Sequence, residues 1–570
     1  MAKQILTGAE SFQELIERDY FYVDKTLFIK ELLENGGKVT LITRPRRFGK
    51  TMNMSMLESF FDVNANGKAL FEGLKIMEYR DIADKYMNMY PVVFLSLKNV
   101  EESTYKNSIV SIKELVSDIY RHFRYLYESE KLDEQQKDIF YFLLNGNSTE
   151  SRLHSALKFL TECLYTYHGK QAIVLIDEYD APLSNALMEG YYDEMLKFMR
   201  GFLGSVFKTN RYLEFGVLTG VQRISKEGLV SGFNNPLVCG IMDREFADCF
   251  GFTEDEVKAA CEMYGLGDEY DGVKRWYDGY RFGGQDMYNP WSITGYLNRK
   301  EFGEYWVNTG SMAIFQDIFH KGDDSLKNGM AGLITGVPVS MFMEDGITYP
   351  IEYTNSDAFW TLLLNAGYIK PCNGAKGDRF KAELVNTEVR NIFSRYAKRW
   401  LETKQPSIAK TIRLFVDCLL EGDAGGVSDT LNKELLNSPS CHDFKEENSY
   451  HMFIFGILLA VSGDYTVTSN TESGKGRLDC LIKPINKEKY AVVIEFKHKR
   501  EISEDNEDLK AEAQNALKQI DEKAYTHSLK NEGYRRVHKY GIAFHKKSCH
   551  VEMDTECEMR NAECGMRNYG

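Results

Sequence analysis

The segment Val39-Thr40-Leu41-Ile42-Thr43 runs directly into Arg44-Pro45-Arg46-Arg47-Phe48-Gly49-Lys50-Thr51, and residues 52–61 then show helical spacing. An apolar, β-branched run, a basic turn with a glycine, and a helix specify a strand–loop–helix unit. Residues 91–97, 172–176 and 214–219 are further apolar strand candidates, and residues 150–167 and 195–207 are amphipathic stretches between them. Fully apolar strands alternating with helices imply a parallel sheet covered on both faces.

The basic turn departs from the strict GxxxxGK[ST] pattern, because Arg44 stands where the first glycine belongs. Phe48-Gly49-Lys50-Thr51 remains, at a strand-to-helix turn. Backbone N–H groups and the helix N-terminus there suit phosphate oxygens. Lys50 suits the β/γ charge and Thr51 suits Mg²⁺, while Arg46 and Arg47 offer charge-assisted contacts. ATP is the ligand this implies. Asp177 ends an apolar strand, where a magnesium ligand is expected, and Glu178 follows it, where a base would orient a water. Asp180 is a further acid nearby. Thr219-Gly220 ends the next strand, and Arg223 just beyond stands where either a γ-phosphate sensor or an ordinary surface arginine would.

A second constellation lies near the other end. Asp479 opens one strand candidate and Glu495 lies in the next, and Lys497, two residues on, points to the same strand face as Glu495. Metal-assisted phosphodiester cleavage needs carboxylates that converge on Mg²⁺ and a lysine beside the attacking water. An isolated Glu-x-Lys is a weak signal, but Val492-Val493-Ile494 and Phe496 mark a buried strand. His451 and His498 are set aside as ligands, since oxygen donors suit Mg²⁺ better.

With 570 residues the chain should hold several domains. Its net charge of −14 gives no general attraction to nucleic acid, so any such contact must come from local patches such as Arg44, Arg46, Arg47 and Lys50, or Lys497, Lys499 and Arg500. Eleven cysteines without a CxxC pair point to a reducing, cytoplasmic setting and away from a zinc knuckle. The apolar run 453–461 is too short to span a bilayer, and the start of the chain has no apolar signal region. The expected domains are 1–240, 241–435 (mainly helical, with aromatic turns at 276–292 serving as core), 436–548 and a frayed tail, 549–570. The third reads helix (447–461), strand (464–469), strand (478–483), strand (490–496), helix (507–525), strand (539–544).

Phe21-Tyr22-Val23-Asp24-Lys25-Thr26, Arg44–Thr51, Asp177-Glu178-Tyr179-Asp180 and the aromatic turns together resemble the bacterial AAA-ATPase-like proteins, which typically carry a carboxy-terminal PD-(D/E)XK nuclease superfamily domain. The resemblance spans roughly residues 5 to 546 and tolerates an arginine at position 44. It implies an α/β fold: a P-loop NTPase core of the AAA type, a helical or winged-helix middle, and a carboxy-terminal restriction-endonuclease-like α/β domain. It also implies that Tyr22, Asp24 and Lys25 pack near the nucleotide, that Glu447 adds an acid, and that Gln519 and Tyr525 stand near the second site. Two functions follow. One is an ATPase joined to a Mg²⁺-dependent nuclease acting on DNA or RNA, with Glu178, Arg223, Asp479, Glu495 and Lys497 as catalytic residues. The other is an ATP-dependent switch that assembles, as a homo-oligomer for example, and binds without cutting.

Overall fold

The computed structural model describes residues 2–224, 236–306, 324–344, 356–372, 377–404, 406–437, 465–473, 476–484, 486–498, 507–545 and 548–557. Two compact units emerge: Met1–Trp306 with Met341–Phe380 and Val385–Glu388, and Val307–Ser340 with Lys381–Leu384 and Val389–Gly570. Among the described residues no helix is long and apolar enough to cross a membrane.

The first unit is built on five parallel strands: β1 (Val39–Thr43), β2 (Val92–Ser96), β3 (Ala172–Asp177), β4 (Leu213–Gly220) and β5 (Leu237–Cys239), in the order β2-β3-β4-β1-β5. All five residues of β1 and all six of β3 are buried, which is why these runs are mostly apolar or β-branched and lack the alternation of a half-exposed strand. Helix α1 (Lys50–Phe61) leaves β1 through the basic turn. The stretch 150–167 is two helices, Glu150–His154 and α2 (Ala156–His168), and α3 (Tyr192–Phe207) precedes β4. Thr43 pairs with Gly220, and Ile176 pairs with Leu218. The carboxyl ends of β1, β3 and β4 therefore converge, where parallel α/β sheets bind their ligands.

Beyond β5, α4 (Glu254–Met263) opens with a reciprocal capping box between Thr253 and Glu256. The aromatic turns form a hairpin, Tyr280–Phe282 with Gln285–Tyr288, and then α5 (Pro290–Arg299), whose N-cap is Asn289. Tyr277, Tyr288 and Tyr296 are buried in one apolar cluster with Val257 and Ile293, so these aromatics are core, as their pattern suggested. Described helices farther on include α6 (Ser356–Asn365) and α7 (Thr387–Lys404). Three short strands, Val339–Phe342, Ile369–Pro371 and Arg379–Leu384, interrupt a region expected to be mainly helical.

The second unit contains a mixed sheet of β6 (Tyr465–Ser473), β7 (Gly476–Pro484), β8 (Ala491–His498), β9 (Arg536–His545) and β10 (Ser548–Cys557), in that order. Only the β8–β9 pair is parallel; β6–β7, β7–β8 and β9–β10 are antiparallel. Helix α8 (Glu507–Glu522) lies on the sheet through Leu509, Ala513, Ala516 and Ile520. Gly541 of β9 permits a close approach, since a Cβ there would stand 2.1 Å from the Ala513 carbonyl oxygen. Residues 548–557 are strand and not frayed tail: β9 supplies the hydrogen bonds that local periodicity did not advertise. The helix expected at 447–461, with Glu447 and His451, lies outside the described residues, as does the tail beyond 557.

Candidate nucleotide and metal sites

In the first unit the turn after β1 is shaped by Gly49, whose φ is 82°, in the left-handed region. A Cβ at Gly49 would meet nothing within 4 Å, so open space lies against bare backbone at the α1 N-terminus. That cradle and the donor set beneath it fit a magnesium-bound nucleotide phosphate. Lys50 is buried; its Nζ donates to the carbonyls of Arg44 (3.2 Å) and Pro45 (3.1 Å) and pairs with Glu178 Oε1 at 3.2 Å. Thr51 Oγ1 donates to Asp177 Oδ2 (2.7 Å), and Thr219 Oγ1 donates to Asp177 Oδ1 (2.6 Å). Burial, and then the charge of Glu178, raises the Asp177 carboxyl above its ordinary range. Glu178 has φ 52°, a left-handed backbone costing on the order of 1 kcal/mol or more for a residue with a side chain. Lys50, Thr51, Asp177, Glu178 and Thr219 thus form one network at the strand ends.

Other residues of the loop have different roles from those the basic patch suggested. Arg44 is fully buried, and its guanidinium donates to the carbonyls of Thr43, Cys239, Gly240, Glu245 and Phe246. It fastens the end of β1 to the chain after β5 and is not a phosphate contact; five converging carbonyls hold the charge in place of solvent. Phe48 contributes only backbone to the loop, because its ring is buried against Tyr280 and Phe282. Arg47 lies 3.5 Å over the ring of Trp291. Arg46 is exposed, while its carbonyl accepts from Trp306 Nε1 (3.1 Å) and Asn289 Nδ2 (3.5 Å). Tyr22, Asp24 and Lys25 are engaged structurally. Asp24 accepts from Thr26 and the Lys75 N–H, Lys25 pairs with Glu256 at 2.6 Å, and the Tyr22 hydroxyl meets the Met56 sulfur. Asp180 accepts from the backbone of Val221 and Gln222, and Arg223 is half-buried beside them.

In the second unit β7, β8 and α8 bring four predicted residues together. Asp479 Oδ2 accepts from the Phe496 N–H at 2.8 Å. Gln519 Nε2 donates to Glu495 Oε1, and Lys497 Nζ donates to Gln519 Oε1 while lying 3.8 Å from Glu495 Oε1. Gln519 reaches the strand because Gly541 lets α8 settle onto the sheet. Burial, followed by repulsion from Asp479, raises the Glu495 carboxyl to about 7, and burial raises Asp479 as well. Glu495 Oε2 is buried without a hydrogen-bond partner. Two repelling carboxylates and one orphaned buried oxygen fit a divalent cation held by Asp479 and Glu495. Tyr525 is buried in the apolar cluster with Leu481 and Val493.

Residues 7–230 match a family described as "Predicted AAA-ATPase", and residues 445–554 match the PD-(D/E)XK nuclease superfamily. One chain thus carries a segment similar to each of these two families. A protein of Azotobacter chroococcum mcd 1, described as "Uncharacterized protein in vnfD 5'region", is 26% identical over 560 residues, covering 96% of this chain and 97% of that protein. The AAA-ATPase-like segment contains the loop, Asp177, Glu178 and Arg223; the PD-(D/E)XK segment contains Asp479, Glu495, Lys497 and Gln519.

Of three further residues that shape the AAA-ATPase-like site, Asn289 lies in an aromatic turn singled out in the sequence, while Trp306 and Glu388 escaped that reading. Trp306 reaches Arg46, Asn289 both caps α5 and reaches Arg46, and the buried Glu388 accepts from the backbone N–H groups of Tyr305 and Trp306 and from the Ser292 hydroxyl. Burial raises the Glu388 carboxyl to about 7. Asn289-Pro290 is legible as a helix start, but no local signal marks Trp306 or Glu388.

Proposed function

We propose that this protein binds and hydrolyses ATP with Mg²⁺ at the β1–α1 loop and couples that cycle to Mg²⁺-dependent cleavage of DNA or RNA in its second unit. The observation that supports this best is the Asp479–Glu495–Gln519–Lys497 network, a charged cluster in which the buried Glu495 Oε2 has no hydrogen-bond partner. Asp479 and Glu495 would hold the metal, and Lys497 would stand by the attacking water. In the first unit Lys50 would neutralise the β/γ charge, with Gly49 and the backbone of Arg46, Arg47 and Phe48 around the phosphates. Thr51 and Asp177 would bind Mg²⁺, and Glu178 would orient the water. Bound Mg²⁺ supplies Lewis-acid stabilisation of the developing charge at each site. The eight free cysteines among the described residues suit a reducing cytoplasm.

The net charge of −14 favours a second reading, an ATP-dependent switch whose PD-(D/E)XK segment binds without cutting. Incubation of plasmid and RNA with Mg²⁺, with and without ATP, separates the two. The nuclease reading expects cleavage that disappears in Asp479→Ala and Glu495→Ala while ATP binding persists. Intact substrates under every condition, with ATP bound normally, would leave the switch.

A further inference from the structure

Arg223 would serve as a charge sensor from a turn held in one place beside the strand ends, since a small misplacement of a charged contact is costly to a reaction. The motif Asp177-Glu178-Tyr179-Asp180, which begins at the last residue of β3, divides its labour around this need. Asp177 and Glu178 face Thr51, Thr219 and Lys50. The next two side chains turn instead to the segment after β4. Asp180 Oδ2 accepts from the N–H of Val221 (3.1 Å) and of Gln222 (2.7 Å). The Tyr179 hydroxyl donates to the Gln222 carbonyl (2.6 Å) and accepts from the Ile224 N–H (3.2 Å). Gln222 Nε2 also donates to the Leu362 carbonyl of α6 at 3.3 Å, and the Arg44 N–H donates to the Gly220 carbonyl at 3.1 Å.

Both neighbours of Arg223 are thus fixed by two adjacent buried side chains. Tyr179 is fully buried, and Asp180 is 3% exposed. A carboxylate kept so deep is costly unless its hydrogen bonds are made, and Asp180 accepts them from the backbone amides of this one turn. The arrangement holds a turn rather than a ligand.

We infer that Tyr179 and Asp180 are positioning residues that fix Arg223 at the nucleotide's γ-phosphate. The inference rests on the ATPase reading above. It makes Asp177-Glu178-Tyr179-Asp180 a single device, in which two residues serve the metal and water and two serve the sensor arginine.

The test is a double-mutant cycle on the full-length protein. ATP turnover and the affinity for a non-hydrolysable ATP analogue are measured for wild type, Arg223→Ala, Tyr179→Phe and their combination. Tyr179→Phe keeps the ring in its buried place and removes only the hydroxyl. Turnover should fall about tenfold or more in Arg223→Ala and by a similar order in Tyr179→Phe, with analogue affinity held within about threefold. The double variant should be no slower than Arg223→Ala within about twofold, because a positioner has nothing left to position. Asp180→Asn provides a parallel cycle if it folds, as judged by its melting profile. Multiplying effects, or analogue affinity falling along with turnover, would mean a merely structural role and overturn the inference. Normal turnover in Arg223→Ala would overturn it too, while leaving ATP hydrolysis itself intact. A wild-type protein that neither binds nor hydrolyses ATP would refute the ATPase reading and this inference with it.

Discussion

Replacing Glu495 by glutamine should stabilise the second unit at alkaline pH when no metal is present. Burial and the neighbouring Asp479 charge raise the Glu495 carboxyl from 4.5 to about 7. A carboxyl whose folded value lies above its unfolded value favours folding fully below about 4.5. That contribution is lost as pH rises through about 7, so above neutrality the fold carries the whole cost of the buried charge. At roughly 1.4 kcal/mol per tenfold, the gap from 4.5 to about 7 corresponds to at most about 3.5 kcal/mol. Glu495→Gln has no charge to bury, keeps an oxygen to accept from Gln519, and escapes that cost. For a unit of this size about 3.5 kcal/mol is on the order of 7–14 °C in melting temperature. The assay is thermal unfolding of full-length wild type and Glu495→Gln in EDTA, from pH 5 to pH 8, repeated with excess Mg²⁺. The variant's advantage should be small at pH 5, grow through pH 7 and level off by pH 8. Mg²⁺ should raise wild type at pH 8 and shift the variant much less, because the cation binds the folded carboxylate pair. A difference that stays flat with pH, or a variant less stable than wild type at pH 8 in EDTA, would refute the reasoning.

Lys50→Ala should abolish ATP binding in calorimetry, since its buried Nζ is the central cation of the loop; unchanged affinity would remove ATP from the β1–α1 loop. Glu178→Gln should retain ATP affinity while slowing hydrolysis at least about tenfold, as loss of a water-orienting base does; wild-type phosphate release would assign that role elsewhere. Trp306→Phe deletes the N–H donated to the Arg46 carbonyl, a bond worth about 1 kcal/mol, and should weaken nucleotide binding roughly fivefold if loop rigidity matters to affinity. Equal dissociation constants in calorimetry would show that the loop holds its shape without it.

Much was legible locally because local rules govern it. The runs of β1 and β3 lack a regular polar alternation because both strands are covered on both faces, with the threonines of β1 buried too. Gly49-Lys50-Thr51 is readable because a loop that cradles phosphate needs a left-handed glycine, a cation and a hydroxyl in sequence. Glu495 and Lys497 are readable as a pair because the strand repeat places them on one face. Asp479, Gln519 and the sense of their hydrogen bonds depend on strand pairing and on how closely α8 sits over Gly541.

The sequence by itself determined that a phosphate-loop strand–turn–helix and a carboxylate–lysine strand occur in one chain, since each is a short-range pattern of residue types. Tertiary structure alone decided what each charged side chain meets. Arg44 and Arg47 look alike in sequence, yet one sits beneath five backbone carbonyls and the other over an indole ring. Asp177 and Asp180 are three positions apart in one motif, and one meets hydroxyls while the other meets backbone amides. A charge's partner is set by what the fold brings within about 3 Å of it, and those atoms come from segments far away in the chain.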